Sequence, residues 1–159
     1  MNTGPMSRSI LVPHDGSTNA QAAFRYALET FPNARIVLFH AIDPFEVTAS
    51  DEQLAPLTDD WLDEQRSQAE RLLEDAQANL ELDGHDDDGN RNERLSRVEI
   101  ETETGVGSPA QVIVAAVDET DTDQIVIGNR GQSGAAGARM GSTAETVVKR
   151  SDVPVTVVR

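Results

Sequence analysis

Five short apolar runs recur along the chain, and the segments between them carry their apolar residues at helical spacing. SILVPHD (Ser9–Asp15), ARIVLFHAID (Ala34–Asp43), DQIVIG (Asp123–Gly128) and VPVTVV (Val153–Val158) are short, largely apolar runs next to turn residues. Such runs fit strands buried on both faces, as in a parallel sheet. RVEIETETG (Arg97–Gly105) instead alternates, which predicts a strand with one wetter face. Between the first two runs, AQAAFRYALETF is helical, and Thr18 and Gln21 stand at the spacing of a capping box. Thr58–Leu80 predicts a long amphipathic helix with Leu62, Ala69, Leu72, Leu73, Ala76 and Leu80 on one face. Ser108 and Pro109 open a third helix as N-cap and first helical residue, running to about Asp118, and Ser142–Arg150 is a fourth.

Five strands alternating with four helices predict an α/β fold with a parallel sheet, helices on both faces and right-handed crossovers. Ligands of such sheets bind beyond the carboxyl ends of the strands, where strand order reverses. The loops after the first and fourth strands, His14–Thr18 and Asn129–Met140, are therefore the candidate site. At 159 residues the whole chain, 1–159, is expected to form a single domain. Two segments break the rhythm. Asp43–Leu57 is a long connection placed to cover the site, and residues 83–92 (DGHDDDGNRN) form an acidic loop insertion. Asp86, Asp87 and Asp88 are hard oxygen donors, but they lack the spaced acids and terminal Glu of a calcium loop, and the favoured reading is a solvated loop.

Charge narrows the partners. The formal net charge is −15, and Lys149 is the single lysine beside twelve arginines. Acid excess with so little lysine points to a protein built for high salt. At about 1 M salt the Debye length is roughly 3 Å, which screens the repulsion between surface carboxylates. Nucleic acid is excluded as a partner, because it requires a basic footprint. With no cysteine, thiol catalysis, disulfides and iron–sulfur clusters are excluded too. The chain has no apolar stretch long enough for a membrane helix, and MNTGPMSRSI lacks the regions of a signal peptide. The expected location is the cytoplasm.

The stretch Gly128–Thr143, GNRGQSGAAGARMGST, carries the chemistry. It is not a phosphate loop of the Walker type, because Gly137-x-x-x-Gly141-Ser142-Thr143 is one residue short and lacks the lysine. What remains is Gly128-x-x-Gly131, nine residues, and Gly141-Ser142 at the start of a helix. Glycines let backbone amides approach phosphate oxygens, a helix N-terminus adds free N–H groups and positive dipole, and Ser142 and Thr143 add hydroxyls. The competing reading is tight turn packing with a serine cap. Gly105-Val106-Gly107-Ser108-Pro109-Ala110 also fits a dinucleotide fingerprint, but no acid ends the next strand to hold a ribose, which disfavours a dehydrogenase. For phosphoryl transfer, Arg130 and Arg139 offer charge and Asp15 is the acid at a strand end, yet no partner carboxylate marks His14 as a base. His14 is better read as packing beside the site, and His40 as a satisfied core histidine. No residue is assigned a catalytic role.

The glycine spacing resembles the nucleotide-binding signature of the universal stress protein family, in its ATP-binding branch. Nearly the whole chain shares the resemblance: Val12-Pro13-His14-Asp15-Gly16-Ser17 at the opening, Leu38-Phe39-His40-Ala41, Gly105-x-Gly107-x-Pro109-Ala110, and Asp152-Val153-Pro154-Val155 at the close. The resemblance implies a single Rossmann-like, adenine-nucleotide α-hydrolase-like domain with a five-stranded parallel sheet in the order 3-2-1-4-5. It implies ATP as ligand, with Mg2+ or Mn2+ between the phosphates, the metal's protein ligands being left open. Pro13, His14 and Asp15 would then sit on the adenine side, and Ala41 would touch the base through its backbone. Val106 and Gly107 would lie near the ribose, and Gly128, Asn129, Arg130, Gly131, Gly141, Ser142 and Thr143 would line the phosphates. The departures from the family are the acidic insertion and the small residues Ser133–Ala138. The resemblance further implies a homodimer through Val153–Val158, an apolar edge strand of the kind that invites pairing. The function implied is a nucleotide-gated dimeric regulator in stress response, acting on a protein partner the sequence does not name. The alternatives are a dimeric interaction module without nucleotide and a slow ATPase.

The charge pattern yields the first prediction. The denaturation midpoint should rise as potassium chloride goes from about 0.1 M to about 1 M. A midpoint insensitive to salt would contradict adaptation to high salt.

Overall fold

A computed structural model describes residues 8–44, 58–83, 99–129 and 140–159. The elements are β1 (Ser9–Pro13), α1 (Thr18–Thr30), β2 (Arg35–Ile42), α2 (Asp59–Asp83), β3 (Glu99–Val106), α3 (Pro109–Glu119), β4 (Gln124–Gly128), α4 (Ser142–Arg150) and β5 (Val155–Val158). All strand pairs are parallel, and the sheet order is β3-β2-β1-β4-β5. The predicted α/β architecture and strand order hold.

Strand alternation sorts the apolar residues into two cores. Ile10, Val12, Ile36, Leu38 and Val126 pack against Ala23, Phe24, Ala27 and Leu28 of α1 and Leu73, Ala76 and Leu80 of α2. Leu11, Val37, Phe39, Ile125 and Ile127 pack on the other face against Ala110, Ile113, Ala116 and Val117 of α3 and Ala144 and Val147 of α4. Helices thus cover both faces, and strands wet on neither side explain the unbroken apolar runs.

Several boundaries differ from the sequence reading. β1 ends at Pro13, and His14 and Asp15 already belong to the turn, although the His14 N–H still donates to Phe39 O at 2.7 Å. The cap of α1 is Ser17, whose Oγ accepts from Ala20 N at 3.1 Å, so Thr18 and Gln21 form no capping box. Gln21 turns its side chain to other partners. Trp61, absent from the predicted apolar stripe of α2, is fully buried. It stands eight residues before Ala69, which returns it to the same helical face.

β4 meets α1 closely at Gly128. A Cβ there would lie 2.7 Å from the backbone carbon of Asn19 and 2.8 Å from its oxygen. Backbone cannot yield as a side chain can, so the glycine is demanded by protein packing whatever else it does. Gly128→Ala should cost about 1–3 kcal/mol, read from urea denaturation at fixed salt. A variant as stable as the parent would show that α1 can move away from β4.

Candidate functional site

The strand order reverses between β1 and β4. The chain leaves β1 through α1 toward β2, and leaves β4 through α4 toward β5 on the opposite face. In parallel sheets such a reversal of strand order is where a crevice opens at the carboxyl edge.

On the β1 side the turn is built around His14, which is 5% exposed. Its Nδ1 accepts from the Gly16 N–H at 3.0 Å, which requires that nitrogen to be unprotonated. Nε2 therefore carries the proton and donates to Gln21 Oε1 at 2.8 Å. Gln21 in turn donates from Nε2 to Ala76 O at 3.0 Å. His40 donates from Nδ1 to His14 O at 2.8 Å. This chain of bonds joins β2, β1, α1 and α2 under the site. Asp15 Oδ1 accepts from Ser17 N at 3.0 Å, completing the turn. Both ring nitrogens of His14 are engaged, so it is not placed as a general base, and the packing reading holds. His40 is half-buried and bonded, not enclosed in the core.

Burial holds the His14 pKa below its ordinary value, partly offset by the Gln21 bond and the Asp15 charge, with His40 adding to the lowering.

On the β2–β3 side, Ala41 pairs with Gly105 and Ile42 with Val106. Gly107 continues the pairing by donating its N–H to Ile42 O at 2.9 Å. Its φ of +146° is a conformation that side chains avoid, and a Cβ would press to 2.9 Å of Val112 Cγ1.

On the β4 side, Asn129 is 7% exposed and its backbone ties two elements together. Asn129 N donates to Val158 O at 2.7 Å, and Gly141 N donates to Asn129 O at 2.8 Å. The start of α4 is thereby fixed beside the end of β4. Gly141 caps α4 and supplies no side-chain bond to its first turn. The Ser142 side is exposed and Thr143 half-buried.

Of the residues singled out in the sequence, Pro13, His14, Asp15, Ala41, Val106, Gly107, Gly128, Asn129, Gly141, Ser142 and Thr143 all lie at this carboxyl edge. Arg130, Gly131 and the stretch Ser133–Ala138 lie outside the described residues, as do 45–57 of the long connection and 84–92 of the acidic loop. Sequence reasoning missed Ser17 and Gln21 in their actual roles. The signal for Ser17 was its place just before the helical stretch; the reach of Gln21 to Ala76, 55 residues away, left none. Among the described residues no three His, Asp or Glu side chains gather into a metal site, and no helix is long and apolar enough to cross a membrane.

The fold is that of a doubly wound α/β protein whose strand order reverses between β1 and β4. The chain belongs to the universal stress protein family, whose model matches residues 6–159. It is 27% identical over 163 residues to universal stress protein MJ0577 of Methanocaldococcus jannaschii, covering 97% of this chain and 96% of that one. The solved structure of MJ0577 shares the fold with a TM-score of 0.70 at 24% identity, over 96% of each chain. A universal stress protein solved in complex with cAMP matches with a TM-score of 0.60 at 25% identity, over 96% of this chain and 97% of that one.

The His14 geometry predicts a neutral Nε2–H tautomer that titrates below 6.5. The unfolded chain then takes up this proton first as pH falls. The contribution of His14 to stability is therefore complete above about pH 6.5 and declines below it. Nitrogen and carbon NMR shifts of the ring across a pH series measure both. An Nδ1–H tautomer or a midpoint above 6.5 would contradict this turn geometry.

Proposed function

We infer that the protein binds an adenine nucleotide, ATP foremost, at the carboxyl edge of the sheet and acts as a nucleotide-gated dimeric regulator in stress response. The observation that carries the reading is the anchored start of α4. The Gly141 N–H bond to Asn129 O sets the first turn of a nine-residue helix at the mouth of the crevice. Gly141 at the cap brings no side chain to its leading N–H groups, and such groups with the helix dipole favour a phosphate. The one acid in that turn, Glu145, leans down the helix to Lys149 at 3.6 Å. Ser142 and Thr143 supply hydroxyl donors. The relative solved with cAMP supports a nucleotide as the class of ligand.

The residues present fit a phosphate group better than a metal of their own. A divalent ion, Mg2+ or Mn2+, would arrive with the phosphates and neutralise their charge. Pro13, Asp15 and Ala41 would face the base, Val106 and Gly107 the ribose, and Gly128-x-x-Gly131 with Gly141–Thr143 the phosphates. No step of bond cleavage is assigned to any residue. For the dimer, support comes from β5, an edge strand of three valines and a threonine that are all half-exposed. Edge strands of this kind pair with a second copy. The cytoplasm and high salt are the setting that the composition favours.

Calorimetry of ATP with magnesium, in about 1 M potassium chloride, tests the binding. Saturable heat is expected, weaker for NAD. The double variant Ser142→Ala, Thr143→Val should weaken ATP by at least about tenfold, because each hydroxyl bonds a charged group. Folded protein that gives no heat would overturn the reading and leave a dimeric interaction module.

A further inference from the structure

Trp61 is the one tryptophan of the chain, and its side chain is 0% exposed. It sits in a small apolar cluster with Ile42 and Ala69, packed against Leu62 and Val106. Its indole Nε1 is buried there with no hydrogen-bond partner among the described residues. Buried polar groups in native proteins are nearly always paired, because an unpaired one keeps its full desolvation penalty. Phenylalanine would fill most of this space without that penalty. The extra N–H therefore calls for an acceptor from outside the described chain.

The place of the cluster says which acceptor. Ile42 and Val106 are register partners at the last positions of β2 and β3. Their chain neighbours are Ala41 and Gly107, the residues assigned above to base and ribose. The phosphate-facing residues lie at β4, which β1 separates from β2. At roughly 4.8 Å per strand, β3 and β4 stand about 14 Å apart, so one contact cannot serve both ends. Adenine ring nitrogens and ribose oxygens accept hydrogen bonds, as an indole N–H requires.

We propose that Trp61 is a ligand-binding residue whose indole N–H donates to an acceptor on the nucleoside end of the bound nucleotide. The proposal rests on the reading of the preceding subsection and deepens it. Since the nitrogen is covered by apolar neighbours, the shell around Ile42 and Val106 must give when the nucleoside arrives. The indole resonance reports that change directly.

The test uses the full chain, labelled with nitrogen-15, which shows a single indole N–H signal. Adenosine and AMP are expected to shift that signal and slow its exchange with solvent, and tripolyphosphate to leave it in place. Trp61→Phe should melt at the same temperature as the parent or higher. Its affinity for adenosine and AMP should fall about 3- to 10-fold, with tripolyphosphate binding unchanged. An indole signal that stays put at saturating AMP would overturn the proposal without touching nucleotide binding. So would a variant that binds AMP like the parent, or one that loses AMP and tripolyphosphate equally. If AMP fails to bind the parent protein, both readings fall together.

Discussion

The central strand β1 has no face left for water. Leu11 enters one core while Ile10 and Val12 enter the other, and each is 0% exposed. A strand buried on both sides must have helices on both sides, and parallel neighbours reached by crossovers provide them. The rest follows from this constraint. α1 and α2 take one face, α3 and α4 the other, and every strand ends at the same edge. α1, which follows β1, and α4, which follows β4, belong to opposite faces. The crevice is a by-product of covering one buried strand twice.

The polar groups beneath that crevice are largely committed to the protein itself. His40 bonds His14, His14 bonds Gln21, and Gln21 bonds the backbone of α2. Each link fixes a proton position, and burial favours the neutral form of His14. A network satisfied in this way stiffens four elements at once and leaves its members little freedom for proton transfer. The start of α4 brings backbone N–H groups and the hydroxyls of Ser142 and Thr143 to the carboxyl edge, and the β1 turn brings Asp15. N–H groups and hydroxyls at a helix N-terminus favour an anion.

The fold was legible in the sequence because its signals are local. Apolar runs such as Ile125–Ile127 and helical stripes such as Leu73, Ala76 and Leu80 depend on spacing within a few residues. The carboxyl-edge position of Ala41, Val106 and Gly141 followed once the strands were placed. What escaped depends on contacts between distant residues. Gly128 stands in the stretch singled out for phosphate, and the closeness of the Asn19 backbone, which also demands a glycine there, left no sign in the sequence. Gln21 looked like half of a capping box, yet it spans to Ala76. The predicted stripe of α2 omits Trp61, and nothing local reveals that its nitrogen is buried without a partner among the described residues.

Charge is distributed over the sheet edges unevenly, and this bears on how the protein associates. β3, at one edge, carries Glu99, Glu101 and Glu103 on alternate positions. Arg35 answers Glu101 through two bonds, at 2.7 and 3.0 Å, and spends its remaining reach on Thr120 O. That leaves Glu99 and Glu103 exposed. A row of like charges along an edge strand repels a second copy, which is a common way of blunting an edge. β5 at the other edge is made of Val155, Thr156, Val157 and Val158. Salt would screen repulsion at β3 without weakening apolar contact at β5. The acids of β3 therefore disfavour addition of a strand at that edge, while β5 at the opposite edge carries no charged residue.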